Sequence, residues 1–262
     1  MLKADWGVST DPGPHRPLNE DSYLAEPEVF AVADGMGGHA AGEIASGIVI
    51  AALRQLASRA PLRPDDIGTT IVAANDEIVQ RGFEQSTTAG MGTTVTGVAV
   101  VSIGGSDHWA VFNVGDSRVY RFAETRLQQI TVDHSEIEEL IAAGYLSREQ
   151  ARTDHRRHII TRALGTVPAP LADLWVFPPT ADEQFLICSD GLTDELTDGE
   201  LQEIMRAAAT PRDASSLLVN AAIRAGGRDN VTALVVGLAA AEHDSSSDID
   251  EDTTPHVAAG TG

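Results

Sequence analysis

The sequence predicts an α+β fold. Two helical apolar patterns come one after the other near the start, and several short β-rich runs follow with only tight turns between them. Segregation of this kind suits antiparallel sheet with helices set apart, not a regular strand–helix alternation. The 24 glycines in 262 residues supply many turns, and the length suits one large domain or two small ones; the grouping of helices and strands favours a single catalytic-size domain over 1–238.

The first strand pattern is Val29–Ala33. Apolar residues then repeat at helical spacing as Ile44, Ile48, Ala52 and Leu56 within Ala41–Leu56, and as Ile67, Ile71, Ala74 and Ile78 within Ile67–Val79. Strand-like runs follow at Thr93–Ile103, Trp109–Val114, Arg118–Phe122, Leu174–Phe177 and Phe185–Cys188. Helical patterns at Asp198–Ala208 and Asp213–Ala225 precede a last strand, Val231–Leu238.

Between Asp133 and Leu164 the strand pattern stops. Short helical pieces at Glu136–Ala143 and Ser147–Ala151 lead into a basic run of Arg152, His155, Arg156, Arg157 and His158. This reads as an inserted flap over about 134–160. Its positive cluster is either a patch of surface ion pairs or a surface that receives an anionic substrate. After Leu238 the composition changes: Asp244, Asp248, Asp250, Glu251 and Asp252 stand among serines and threonines without Lys or Arg. Such a stretch lacks the apolar area to offset its ordering entropy, so 239–262 reads as a disordered acidic tail.

Charge excludes several functions. With 18 basic and 39 acidic side chains the formal net charge is −21, which argues against nucleic acid and against an anionic membrane surface. Lys3 is the only lysine, so a P-loop nucleotidase, a protein kinase and a Schiff-base enzyme are all excluded. Cys188 is the only cysteine, which rules out an intrachain disulfide and fits a reducing cytosol. No stretch has the apolar length of a membrane span, and Met1–Trp6 carries no secretory pattern, so a cytoplasmic protein is expected.

Four aspartates stand at the ends of predicted strands. Asp34 closes Val29–Ala33, Asp116 follows Val111–Val114, Asp190 follows Phe185–Cys188, and Asp229 opens Val231–Val236. A single Asp-Gly is an ordinary turn; four such placements suggest a shared site. Carboxylates crowded together raise one another's pKa unless a cation sits among them. With oxygen donors and no matching His or Cys, the ion favoured is Mg²⁺ or Mn²⁺, not zinc. Two such ions about 3.5–4 Å apart can hold a bridging hydroxide and clamp an in-line phosphoryl displacement. Upstream, Arg16 offers a planar fork for phosphate oxygens, and Glu20 and Asp21 can hold metal-bound water or orient Arg16.

Taken in order, the chain carries Arg16-Pro-Leu-Asn-Glu-Asp-Ser, Ala33-Asp34-Gly35-Met36-Gly37-Gly38, Gly92-Thr93-Thr94 and Asn113-Val114-Gly115-Asp116-Ser117-Arg118. Then come Asp133-His134-Ser135, Thr161-Arg162-Ala163-Leu164-Gly165, Ser189-Asp190-Gly191-Leu192-Thr193-Asp194 and Arg228-Asp229-Asn230-Val231-Thr232. This series resembles the successive motifs of the metal-dependent protein phosphatase 2C (PPM) family of serine/threonine phosphatases, in particular the bacterial members that oppose Ser/Thr kinases. It runs from about Ala4 to Leu238.

The resemblance implies a four-layer α-β-β-α sandwich, with two facing antiparallel sheets, helices on the outer faces and metals at one end. It implies that Asp34 bridges two core Mn²⁺ or Mg²⁺ ions, with the Gly35 carbonyl on the second. Asp190 and Asp229 would complete the first ion, and Glu20 would act through water. Arg16 would hold the substrate phosphate, and Asp116, Asp190 and Asp194 would form a third, weaker metal site near the flap. Hydrolysis would proceed by direct attack of the bridging hydroxide on phosphoserine or phosphothreonine. Partners would be phosphorylated proteins, Ser/Thr kinases and their substrates. Two alternatives are a phosphatase of anti-sigma-factor antagonists and a non-catalytic metal- or partner-binding relative.

Met36 stands where some relatives carry a histidine assigned as general acid, so the leaving oxygen would take its proton from water or another group. His39 and His134 lie nearby in sequence, but local capping or packing is the commoner role of such a histidine. His158 replaces a small polar residue usual before Thr161-Arg162. Cys188 reads as a core residue, Gly90–Thr94 as a turn into a strand, and Arg118 as a structural ion-pair partner.

Overall fold

A computed structural model describes residues 3–37, 41–84, 88–151 and 154–238, without the side chain of Arg157. The expected acidic tail 239–262 lies outside these residues, as do Gly38, His39 and Arg152. The chain begins with β1 (Ala4–Asp11), β2 (Ser22–Glu26), β3 (Val29–Ala33) and β4 (Gly35–Met36), then α1 (Ala41–Ala57) and α2 (Pro64–Glu84). Next come β5 (Gly92–Thr93), β6 (Val95–Ile103), β7 (Ser106–Val114), β8 (Arg118–Ala123) and β9 (Arg126–Gln129). The flap holds α3 (Glu136–Ala142), α4 (Arg148–Ala151) and a short helical turn, His155–His158. The chain then forms β10 (Asp173–Phe177), β11 (Gln184–Cys188), α5 (Asp190–Thr193), α6 (Asp198–Ala207), α7 (Pro211–Ala225) and β12 (Val231–Leu238).

Two five-stranded sheets, ordered β1-β12-β11-β8-β9 and β10-β7-β6-β3-β2, are antiparallel at every pairing, and β4-β5 form a small separate ladder. Three apolar layers explain why the strands read as unbroken apolar runs. In β3, Phe30 and Val32 point between the sheets while Val29, Ala31 and Ala33 pack under α1 and α2. In β12, Leu234 and Val236 face the other sheet while Val231, Ala233 and Val235 pack under α6 and α7. The period of two is present, but both faces are dry. Trp109 and Phe185 meet edge-on across the middle layer, with ring centroids 5.4 Å apart. Each such buried side chain contributes roughly 1.5–3 kcal/mol of transfer free energy. The result is the four-layer α-β-β-α sandwich that the motifs imply.

Helix boundaries follow local signals. Thr197 and Glu200 form a capping box at the start of α6, and Thr210 caps α7 with Pro211 in its first turn. Sequence patterning did not indicate β1, β2 or β9. β1 and β2 are largely half-exposed and β9 is Arg-Leu-Gln-Gln, so none shows an apolar run. The expected strand Thr93–Ile103 divides at Thr94, whose backbone N–H turns aside to the Asp34 carbonyl at 2.9 Å. The two feet of the flap are joined by a bridge between Ser135 and Ile160. Among the described residues no helix is long and apolar enough to cross a membrane.

Candidate metal centre and catalytic site

The strand-end aspartates meet at one end of the sandwich. Asp34 follows β3, its N–H donating to Thr94 Oγ1 at 3.0 Å and its carbonyl accepting from Thr93 Oγ1 at 2.8 Å. Asp190 opens α5, and Asp229 precedes β12 with its Oδ1 accepting the Asn230 N–H at 2.8 Å. Asp116 follows Gly115, whose φ of +112° places it in the region glycine tolerates; a Cβ there would stand 2.5 Å from Thr94 Cγ2. Asp34 shares a hydrogen bond with Asp190 and lies in the field of Asp21, Asp190 and Asp116. Asp190 in turn feels Asp194 and Asp229.

The electrostatics show the cost of this crowding. Burial is the largest cause and the neighbouring aspartates add to it at Asp21, Asp34, Asp116 and Asp190. Asp190 is pushed up to about 6, Asp21 to about 7 and Asp116 to about 8, and Asp34 is also raised. Asp21 is satisfied on one side only: its Oδ2 accepts from Thr232 Oγ1 at 2.6 Å and Ser189 Oγ at 2.7 Å. Its Oδ1, like Asp116 Oδ1, is buried without a hydrogen-bond partner. Such an orphan acceptor costs about 1–3 kcal/mol. A divalent cation would both satisfy orphan oxygens and offset the mutual repulsion, and an all-oxygen donor set suits a hard ion. The residues therefore fit Mg²⁺ or Mn²⁺.

The rim is built from the first loop. Arg16 Nη2 donates to Asp229 Oδ2 at 2.6 Å, with both side chains partly exposed. Glu20 is held on three sides: its N–H donates to Asn230 Oδ1 at 2.8 Å, its carbonyl accepts from Ser46 Oγ at 2.7 Å, and its Oε1 accepts the Gly42 N–H at 3.2 Å. That last contact sets the carboxylate against the N-terminus of α1. Gly35 belongs to the same knot; a Cβ on it would lie 2.3 Å from the Gly42 carbonyl oxygen.

The structure thus gathers Arg16, Glu20, Asp34, Gly35, Asp116, Asp190, Asp194 and Asp229 at one end of the molecule. Two further residues belong to the group. Asp21 is half-buried with its Oδ1 enclosed among the carboxylates; the sequence marked it only as a residue that could hold metal-bound water or orient Arg16. His158 offers a ring nitrogen that lies, with a carboxylate oxygen each from Asp190 and Asp194, in a cluster whose atoms are all within 4.8 Å of one another. Its signals in the sequence were the basic run on the flap and its standing where relatives carry a small polar residue before Thr161-Arg162. Within that run Arg156 pairs with Asp154 at 2.8 Å; ahead of it, on α4, Arg148 pairs with Glu138 at 2.9 Å. For Arg156 the ion-pair reading of the run holds.

Three comparisons with known proteins bear on this arrangement. A family description, Protein phosphatase 2C, matches residues 18–224. The chain belongs to the protein phosphatase 2C family. The serine/threonine phosphatase stp of Listeria innocua is 35% identical over 238 residues, covering 87% of this chain and 93% of that one. The serine/threonine protein phosphatase PstP of Mycobacterium tuberculosis is 34% identical over 275 residues, covering 97% of this chain and 51% of PstP. The crystal structure of the Mycobacterium tuberculosis phosphatase PstP/Ppp superposes with a TM-score of 0.85 at 34% identity, over 90% of this chain and 99% of that one. A structure of the PstP catalytic domain in complex with two manganese ions gives a TM-score of 0.82 at 33% identity, over 91% and 99% of the two chains.

Within this 2C-family chain, several side chains are spent on structure. Arg118 forks onto Asp133, with Nη2 to Oδ2 at 2.6 Å and Nε to Oδ1 at 3.0 Å. Cys188 is buried in the layer under α6 and α7, and burial pushes its thiol up to about 12, so it is no nucleophile. Met36, in the β4–β5 ladder, has no proton to give. His134 has both ring nitrogens committed, to Gly115 and to Asp173.

Proposed function

We propose that this chain hydrolyses phosphoserine and phosphothreonine in proteins, using two Mn²⁺ or Mg²⁺ ions at the end of the sandwich and a third, weaker one beneath the flap. Asp34, Gly35, Asp190 and Asp229 would hold the core pair, with Glu20 acting through water. Asp116, Asp190 and Asp194 would hold the third. When bound, the ions lower the pKa of a water and neutralise charge on the phosphoryl oxygens. The observation that carries this reading is the crowding of Asp21, Asp34, Asp116 and Asp190 at one end of the sandwich, their carboxyls raised and two of their oxygens buried without a partner.

The protein's own residues do the rest. Arg16, exposed at the rim, presents a planar pair of donors that matches two phosphate oxygens. The Glu20 backbone, pinned by Asn230 and Ser46, fixes the loop that carries Arg16 relative to α1. Met36 has no proton to give where some relatives carry a histidine, and we assign protonation of the leaving seryl oxygen to water. We place the enzyme in the cytoplasm, opposing Ser/Thr kinases; the buried, unpaired Cys188 fits a reducing compartment.

Turnover of a phosphoserine peptide with Mn²⁺, with Mg²⁺ and with chelator tests the proposal. Hydrolysis that requires the ion and yields inorganic phosphate is expected. Equal turnover in chelator would overturn the metal assignment, and no turnover by folded, Mn²⁺-loaded protein would make the chain a binding relative.

A further inference from the structure

His134 stands where the flap leaves the body of the protein, only 7% exposed, and it touches three separate parts of the structure. Its Nδ1 lies 3.0 Å from the Gly115 backbone nitrogen, and its Nε2 lies 3.2 Å from Asp173 Oδ2 on β10. Its own backbone N–H donates to the Gly115 carbonyl at 2.9 Å, and its carbonyl accepts the Thr161 N–H at 2.8 Å. A peptide N–H only donates, so Nδ1 carries no proton and Nε2 gives the ring's single proton to Asp173. Asp173 Oδ1 then accepts Arg162 Nη1 at 2.7 Å. One neutral imidazole therefore joins the flap's returning segment, the edge strand β10 and the turn ahead of Asp116.

That turn has little freedom. Gly115 takes a φ that other residues avoid, against Thr94, and both of its backbone polar groups are held by residue 134, one by the ring and one by the main chain. Asp116, the next residue, enters the aspartate group with one oxygen orphaned. Burial keeps the ring's pKa below its usual value, which agrees with the neutral tautomer the contacts require.

We propose that His134 is a positioning residue: it holds the Gly115 turn so that Asp116 faces the other aspartates, and through Asp173 and Arg162 it ties that carboxylate to the foot of the flap. The inference rests on the reading of Asp116 as a ligand of a divalent ion. It differs from a packing role in what substitution should change. His134→Leu removes both contacts of the ring. His134→Asn keeps an acceptor, Oδ1, near the place of Nδ1.

Two measurements on the whole chain test it. The first is hydrogen exchange of the Gly115 N–H in chelator, which needs no metal; the second is Mn²⁺ binding followed by calorimetry. His134→Leu should expose the Gly115 N–H to at least about tenfold faster exchange and weaken the weakest Mn²⁺ site by about 10–100-fold, the usual effect of losing a group that orients a ligand. His134→Asn should retain most of both properties. In an Asp116→Asn background, His134→Leu should change Mn²⁺ binding no further. Unaltered Mn²⁺ binding in folded His134→Leu, or equal losses with and without Asp116, would overturn the proposal. Unaltered binding in Asp116→Asn alone would instead remove the metal reading beneath it. Should His134→Leu not fold, His134→Asn decides: lost Gly115 protection with intact Mn²⁺ binding would overturn the proposal, and retention of both would support it.

Discussion

Arg16 and Asp229 are in direct contact, Nη2 to Oδ2 at 2.6 Å, although the two residues are assigned to different partners, a phosphate and a metal ion. The pair is partly exposed, 50% and 40% on the two side chains, so it contributes only about 0–1 kcal/mol to stability. It keeps the guanidinium at the mouth of the site, beside Glu20 and Asp34 as well. Arg16→Ala should therefore spare the fold and harm binding. Losing a charge-assisted hydrogen bond worth about 1.5–3 kcal/mol predicts a KM raised roughly 10–100-fold for p-nitrophenyl phosphate. The melting temperature should move by no more than about 4 °C. A large fall in melting temperature with unchanged KM would make the residue structural.

Among the described residues Asp34 forms no salt bridge, and its crowding among like charges opposes folding, so its substitution separates function from stability. Asp34→Asn replaces a raised carboxyl crowded by Asp21, Asp116 and Asp190 with a neutral group of the same shape. Hydrolysis should fall at least about 10³-fold, corresponding to several kcal/mol of lost charge stabilisation. In chelator the variant should melt at or above the wild-type temperature. Near-normal turnover would remove Asp34 from the metal site.

The contrast between what the sequence revealed and what it hid has a physical basis. Asp34, Asp116, Asp190 and Asp229 were legible because each interrupts an apolar run, and a charge beside a dry strand needs a reason. Asp21 was legible only as a polar residue that could hold metal-bound water or orient Arg16, because nothing in Asn-Glu-Asp-Ser distinguishes a surface turn from a carboxylate held by Thr232, 211 residues away. His158 was hidden for a related reason: its nearness to Asp190 and Asp194 depends on how the flap folds back, which local spacing does not encode. Helices α1, α2, α6 and α7 carried their periodicity openly. β1 was missed because at the sheet edge it buries little, and its place is set by register with β12 over Ala4–Asp11.

Not every buried carboxylate serves the site. Glu183 has a fully buried side chain at the other end of β11 and accepts from Arg121 Nε at 2.7 Å, Thr180 N at 2.7 Å and Thr180 Oγ1 at 2.8 Å. Glu183→Ala strands these donors and should cost about 1–3 kcal/mol in urea unfolding. With Mn²⁺ present its kcat should stay within twofold of wild type, in keeping with the usual stability–function separation of remote sites. A collapse of kcat in the folded variant would show that this end of the sheet reaches the metals.

The aspartate cluster also fixes how stability depends on pH. In the folded protein Asp190, Asp21 and Asp116 titrate near about 6, 7 and 8, all raised from an ordinary value of 3.8. Between those limits the folded chain binds more protons than the unfolded chain, so stability falls as pH rises. The stabilising effect of protonation is complete below the unfolded value and is lost as pH passes through the folded ones. In chelator the melting temperature should therefore decline from pH 5 to pH 8. A divalent ion binds the ionised carboxylates and not the protonated ones, and it stabilises the folded state by mass action. The increment from excess Mn²⁺ should then be small at pH 5 and grow towards pH 8, reversing most of the decline. Scanning fluorimetry across that range with chelator and with Mn²⁺ measures both slopes. A melting temperature in chelator that rises with pH, or a Mn²⁺ increment that shrinks, would mean that these carboxyls are not the groups that bind the ion.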